Sequence, residues 1–98
     1  MKESSVRRKV VAYLKASGFM VIPYPGAAHG MAGVPDLIAI RVSPKTQEPQ
    51  TLFVELKRPG GRLSGVQRAR QREMERHGAD IVVVSDLEHL KTHLRGTK

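Results

Sequence analysis

Two β-rich runs lie close together in the middle of the chain, and their spacing limits what it can become. Pro35 to Val42 (PDLIAIRV) and Thr51 to Lys57 (TLFVELK) are dominated by branched and aromatic residues, and between them runs the turn-rich Ser43-Pro-Lys-Thr-Gln-Glu-Pro49. So short a join predicts a hairpin, and an isolated hairpin is marginal in water, so the flanking segments must cover it. Upstream, Lys2 to Ser17 places Val6, Val10 and Leu14 on one helical face with Val11, Ala12 and Tyr13 beside them, and Gly18 supplies the stop. Phe19 to Tyr24 is β-rich, but Pro23 cannot donate to a ladder, which predicts an edge strand or a strand that ends there. Gly26 to Gly33 reads as a loop.

Downstream of Pro59-Gly-Gly61, Ser64-Gly-Val-Gln67 has the form of a capping box, so a helix is predicted from there to about His77, with a thin apolar face and Gly78 as its end. Asp80 to Val84 (DIVVV) is a continuous apolar run, as expected of a strand covered on both sides. Ser85-Asp-Leu-Glu88 is a second capping box, and Leu87, Leu90 and Leu94 give a short closing helix. The predicted fold class is α/β, a mixed β-sheet flanked by helices in the order α-β-β-β-α-β-α, occupying residues 1–98 as one domain.

Charge narrows the function. The 98 residues carry 17 Lys and Arg against 9 Asp and Glu, a formal +8, and basic groups near phosphates release condensed counterions, so a small basic domain is expected to bind nucleic acid. Absence of cysteine excludes a disulfide scaffold, a Cys-ligated zinc finger, an iron–sulfur centre and a thiol nucleophile. No apolar run approaches the ~20 residues that span a bilayer, and Met1-Lys2-Glu3 does not resemble a signal peptide. A soluble, cytoplasmic protein of a bacterial or phage-infected cell, without a membrane partner, is expected.

The informative anomaly is the end of the second strand. Side chains alternate along a strand, so Glu55 and Lys57 share one face and Leu56 takes the other. Asp36 stands at the start of the preceding strand, and in a hairpin the start of one strand lies beside the end of the other, so Asp36 and Glu55 converge. Two carboxylates at the edge of an apolar sheet repel unless a proton or cation intervenes, and hard oxygen ligands suit Mg²⁺ or Mn²⁺. The same spacing also fits a plainer arrangement, in which Asp36 caps a turn and Glu55 with Lys57 forms a solvated ion pair worth at most about 1 kcal/mol.

Taken together, Gly33-Val-Pro35-Asp36-Leu37-Ile38, Val54-Glu55-Leu56-Lys57, and Gly60-Gly-Arg62-Leu63-Ser64 followed by Gln67 resemble the VRR-NUC family, the virus-type replication-repair nucleases of the PD-(D/E)xK superfamily. The resemblance runs from Glu3 to about Val84 and implies a restriction-endonuclease-like fold. It implies a metal-dependent DNA endonuclease in which Asp36, Glu55 and the Leu56 carbonyl hold Mg²⁺ or Mn²⁺. Lys57 would orient the attacking water, Gln67 would stand beside the site as well as in the capping box, and Glu3 would supply an acidic residue from the first helix. For Glu3 a favourable charge at the helix N-terminus is the alternative role.

Lys57 to Arg76 holds seven basic residues against Glu73 and Glu75, five of the eight net charges. Arg58, Arg62, Arg68, Arg70 and Arg72 are therefore candidate DNA contacts, with Arg62 and Arg68 foremost, although a solvated helix face has the same composition. Tyr13, Phe19, Tyr24 and Phe53 are the only aromatics, too few for a stacking platform, so backbone and shape recognition of duplex or branched DNA is expected. His89 and His93 stand four apart on the last helix without the HExxH pattern of a zinc site, and His29 lies in the loop before Asp36.

Branched substrates such as four-way junctions or flaps follow from the resemblance. An archaeal-type Holliday junction resolvase is the nearest other enzyme, and a non-catalytic nucleic-acid-binding or assembly module the alternative from another class. A homodimer is expected, because two symmetry-related cuts call for two sites and because Val10, Val11, Tyr13 and Leu14 span a broad arc of the first helix.

Overall fold

In a computed structural model, residues 3–24 and 30–96 are described, with the side chains of residues 3 and 4 outside the description. The order of elements is α1 (Glu3–Ala16), β1 (Met20–Pro23), β2 (Leu37–Val42), β3 (Pro49–Leu56), α2 (Gly65–Arg76), β4 (Ile81–Val84) and α3 (Leu87–Gly96). The strands form one mixed sheet in the order β1-β2-β3-β4, antiparallel except for the parallel pair β3 and β4. This is the α/β order expected from the sequence, with β1 on an edge where Pro23 needs no partner for its nitrogen. No helix among the described residues is long and apolar enough to cross a membrane.

Strand alternation divides the sheet into two unlike faces. Leu37, Ala39, Leu52, Val54, Leu56, Val82 and Val84 point to one side and are buried with Val6, Val10 and Leu14 of α1, Phe19, and Leu90 of α3. Each such side chain is worth roughly 1.5–3 kcal/mol relative to exposure. Val11 and Tyr13 pack against this core as well and are partly buried, so they account for much of the wide apolar arc of α1 and weaken that support for a dimer. The far end of the core is closed by the Gly18 turn, where Phe19 N donates to Leu14 O and Gly18, at φ 91°, donates to Lys15 O. Over Phe19 lies the Arg41 guanidinium, 4.2 Å from the ring centre and bonded to Ser17 O and Gln50 Oε1.

The other face carries Met20, Ile22, Ile38, Ile40, Val42, Phe53, Glu55, Ile81 and Val83. Only its β3–β4 part lies under α2. Val83 remains 42% exposed, which corrects the expectation of a strand covered on both sides: β4 is an edge strand. On the β1–β2 part, Met20 and Val42 are each 63% exposed, and Ile22 and Ile40 lie beside them uncovered.

The β2–β3 connection is ordered by Ser43, which is buried. Ser43 N donates to Glu48 O and Gln47 N to Ser43 O, while Ser43 Oγ accepts from Lys45 N and Thr46 N. At the last helix the cap differs from expectation: Asp86 Oδ1, not Ser85, accepts from the backbone of His89, three residues on, so the helix begins one residue later than the capping-box pattern implies.

Candidate active site

Strand register brings the site together. β2 pairs with β3 so that Leu37 faces Val54 and Val42 faces Pro49, and the next step beyond Leu37 sets Asp36 opposite Glu55. Tyr24 N donates to the Asp36 main-chain O at 2.8 Å, extending the β1–β2 ladder, and Asp36 Oδ2 accepts from Leu56 N at 2.8 Å, so the backbone of this residue is held from the β1 side and its carboxylate from β3. Glu55 is only 2% exposed. Lys57 lies on the same face as the alternation requires, its Nζ 3.5 Å from Glu55 Oε2 and its side chain partly open to solvent.

The polar face of α2 completes the cluster. Gln67 closes the predicted capping box, donating its backbone N–H to Ser64 Oγ and accepting from Ser64 N at Oε1. The same Oε1 accepts from Lys57 Nζ at 3.0 Å, and Nε2 donates to Glu55 Oε2 at 3.3 Å, so Gln67 is both cap and site residue. Sequence reasoning missed Gln71. One turn further along α2 and buried, its Nε2 donates to Glu55 Oε1 at 3.0 Å and to Gly33 O at 3.4 Å. The signal was available: a glutamine four residues after Gln67, on a helix whose apolar face is too thin to explain its docking.

Burial raises the Glu55 pKa from 4.5 to about 7, reinforced by the charge of Asp36 and a hydrogen bond between the two carboxyls, against the opposing pull of Lys57. The pair therefore takes up a proton or a cation readily. Among the described residues no third Asp, Glu, His or Cys joins them. This donor set fits Mg²⁺ or Mn²⁺, because Mg²⁺ keeps several waters and is commonly held by one or two carboxylates plus the phosphates of its substrate.

The VRR-NUC domain profile matches residues 24–85, a span that contains Asp36, Glu55, Lys57, Gln67 and Gln71. The chain belongs to the VRR-NUC family. Membership gives it a nuclease-type fold and makes DNA its class of substrate. No curated protein matches this VRR-NUC chain.

The remaining predicted residues are spread around this centre. Arg58, Arg62 and Arg72 are exposed, with no acidic partner among the described residues, while Arg68 Nη1 donates to Leu63 O. Arg68 and Arg72 line a cleft of about 270 Å³ between α2 and β4, shared with Leu63, Gln71, Glu75, Ile81 and Val83. Arg70 is turned inward, its Nε donating to Ala32 O and its Nη1 to Glu73 Oε1. The Glu3 side chain and His29 lie outside the described residues. His93 Nε2 sits 2.7 Å from Asp80 Oδ1, and His89 packs against Ser85 at the start of α3, so the two histidines have separate partners.

Proposed function

We propose that this VRR-NUC protein is a metal-dependent endonuclease that hydrolyses phosphodiester bonds in DNA, with branched structures such as four-way junctions or flaps as its preferred substrates. The observation that carries the proposal is the buried Glu55 carboxyl opposite half-buried Asp36, with Lys57 at their mouth, set beside an otherwise basic surface. Asp36, Glu55 and the Leu56 carbonyl are the groups to hold Mg²⁺ or Mn²⁺. When bound, the ion supplies Lewis-acid activation of water and neutralises charge on the phosphoryl group.

The chain's own residues do the rest. Lys57 Nζ, steadied by Gln67 Oε1, directs a proton donor toward the solvent side of the site, where it orients water and offsets negative charge developing on the phosphate. Arg58, Arg62, Arg68 and Arg72 bind the DNA backbone around it. The test is incubation with Mg²⁺ or Mn²⁺, or with chelator, and labelled linear, flap, splayed and four-way substrates. Ion-dependent cutting by the wild type and its loss in Asp36→Ala and Glu55→Ala are expected. Mg²⁺-dependent cutting retained by Glu55→Ala overturns the site, and binding of the whole panel without cutting supports the non-catalytic module instead.

The active form is a homodimer in this reading, since a junction presents two strands related by two-fold symmetry. Support comes from the sheet face of Met20, Ile22, Ile40 and Val42, which is apolar and contiguous. Burying this patch between two copies would remove exposed apolar surface from water, against the repulsion of two +8 chains. Light scattering is expected to give twice the 10.8 kDa chain mass, and Val42→Lys to give monomer. Junction resolution by a wild-type monomer refutes the dimer.

A further inference from the structure

Among the described residues three polar side chains are buried: Ser43, Glu55 and Gln71. Ser43 orders the hairpin turn and Glu55 is the proposed ligand, which leaves Gln71. At 4% exposure in the interior of α2 it caps nothing, and a buried amide is unfavourable unless its hydrogen bonds are made. Its bonds lead to two places: Glu55 Oε1 on β3, and the Gly33 carbonyl in the segment that delivers Asp36.

That segment is stiff. From Gly33 the chain passes through Val34 and buried Pro35 to Asp36, and α2 grips its start twice more. Arg70 Nε donates to Ala32 O at 3.0 Å, and Gly33 approaches so closely that a Cβ there would stand 2.7 Å from Arg70 Cβ and 2.8 Å from Val66 O. A single amide thus links the carrier of one carboxylate to the other carboxylate itself.

We propose that Gln71 is a positioning residue for the divalent-cation site, holding the Glu55 carboxylate and the Asp36 segment at one fixed separation before any ion arrives. The inference rests on the nuclease reading above and assigns Gln71 no contact with DNA or with the ion. Groups that orient metal ligands in this way are typically worth 10- to 100-fold in metal affinity or activity.

The sequence makes the test clean, because it has four glutamines, Gln47, Gln50, Gln67 and Gln71, and no asparagine, so the side-chain amide region of a ¹⁵N spectrum holds four pairs of signals. On titrating the chelator-treated full chain with Mg²⁺, the Gln67 and Gln71 amides are expected to move together while those of Gln47, in the hairpin turn, and Gln50, at the start of β3, stay in place. Gln71→Met, which keeps length but loses the donor, is expected to weaken Mn²⁺ binding in calorimetry by 10- to 100-fold. Junction affinity in Ca²⁺ is expected to stay within about threefold, and saturating Mn²⁺ to recover most of the cleavage rate. A stationary Gln71 amide in a protein that does bind Mg²⁺, or a folded Gln71→Met protein with wild-type Mn²⁺ affinity, overturns the positioning role and leaves the nuclease reading intact. Wild-type protein that binds neither ion overturns both, and the wild-type titration needs no variant to fold.

Discussion

Neutralising Glu55 should remove a pH dependence of stability that the metal-free protein otherwise carries. In the folded chain this carboxyl has its pKa raised from 4.5 to about 7, by burial first and by Asp36 second. A raised carboxyl pKa means that the folded state holds the proton more tightly than the unfolded one. The corresponding stability is fully present below pH 4.5 and is lost as the pH climbs through 7, on the order of 3 kcal/mol in all. For a domain of this size 1 kcal/mol moves Tm by roughly 4–8 °C, so metal-free wild type should melt roughly 10–20 °C lower at pH 8 than at pH 5. The titratable groups facing Glu55 are Asp36 and Lys57, while α2 contributes only the neutral Gln67 and Gln71. Glu55→Gln should therefore melt at nearly the same temperature across that range. Far-UV circular dichroism melts in chelator at pH 5, 6, 7 and 8 read this directly, and Mg²⁺ at pH 8 should restore the wild type alone, because a cation selects the ionised carboxylate. Parallel pH curves for the two proteins would refute the reasoning.

Three further outcomes are expected. Lys57→Ala should slow single-turnover cleavage by about 100-fold or more yet change the slope of log affinity against log salt by only about 0.9; equal losses in rate and binding would make Lys57 an ordinary phosphate contact. Arg62→Ala with Arg68→Ala should flatten that slope by up to about two units for unrelated sequences, and an unchanged slope with altered sequence preference would count against a backbone role. Gly33→Ala should cost about 2–4 kcal/mol in urea unfolding, because the residue has φ 87° and its new methyl group meets Arg70 and the Val66 carbonyl; an unchanged midpoint would show that α2 yields at that point.

Much of this arrangement was legible in the sequence because strand alternation is a strong local rule. It separates Glu55 and Lys57 from Leu56, and the short join between the central runs makes Asp36 and Glu55 neighbours. The Ser64–Gln67 pattern located the start of α2, and the same spacing aimed Gln67 at the site. Gln71 escaped because a polar residue inside a helix reads as solvated, and only the docking of α2 reveals that its polar side faces inward. The run DIVVV carries no information about how many strands lie beyond it, so the exposure of Val83 depends on sheet order. Likewise the arc of Val11 and Tyr13 on α1 was wide enough to suggest a partner, but packing against the core absorbs much of it, and the uncovered apolar surface lies on β1 and β2 instead.

The Ser43 turn stands about 20 Å from Asp36, six residues of strand away, yet it governs which way Glu55 points. Glu55 and Lys57, the odd-numbered side chains at the end of the strand, belong to the chemistry and every even-numbered one from Leu52 to Leu56 to the core, so the two functions share a single strand as interleaved phases. Insertion or loss of one residue between Ser43 and Glu48 that slid β3 by one place would deliver Val54 or Leu56, respectively, to the position facing Asp36 and force Glu55 into the core. Point substitutions on the surface of that turn leave the phase untouched, whereas single-residue indels invert it. The hairpin tip thus tolerates change of composition and not of length, although nothing at the tip touches the acidic pair.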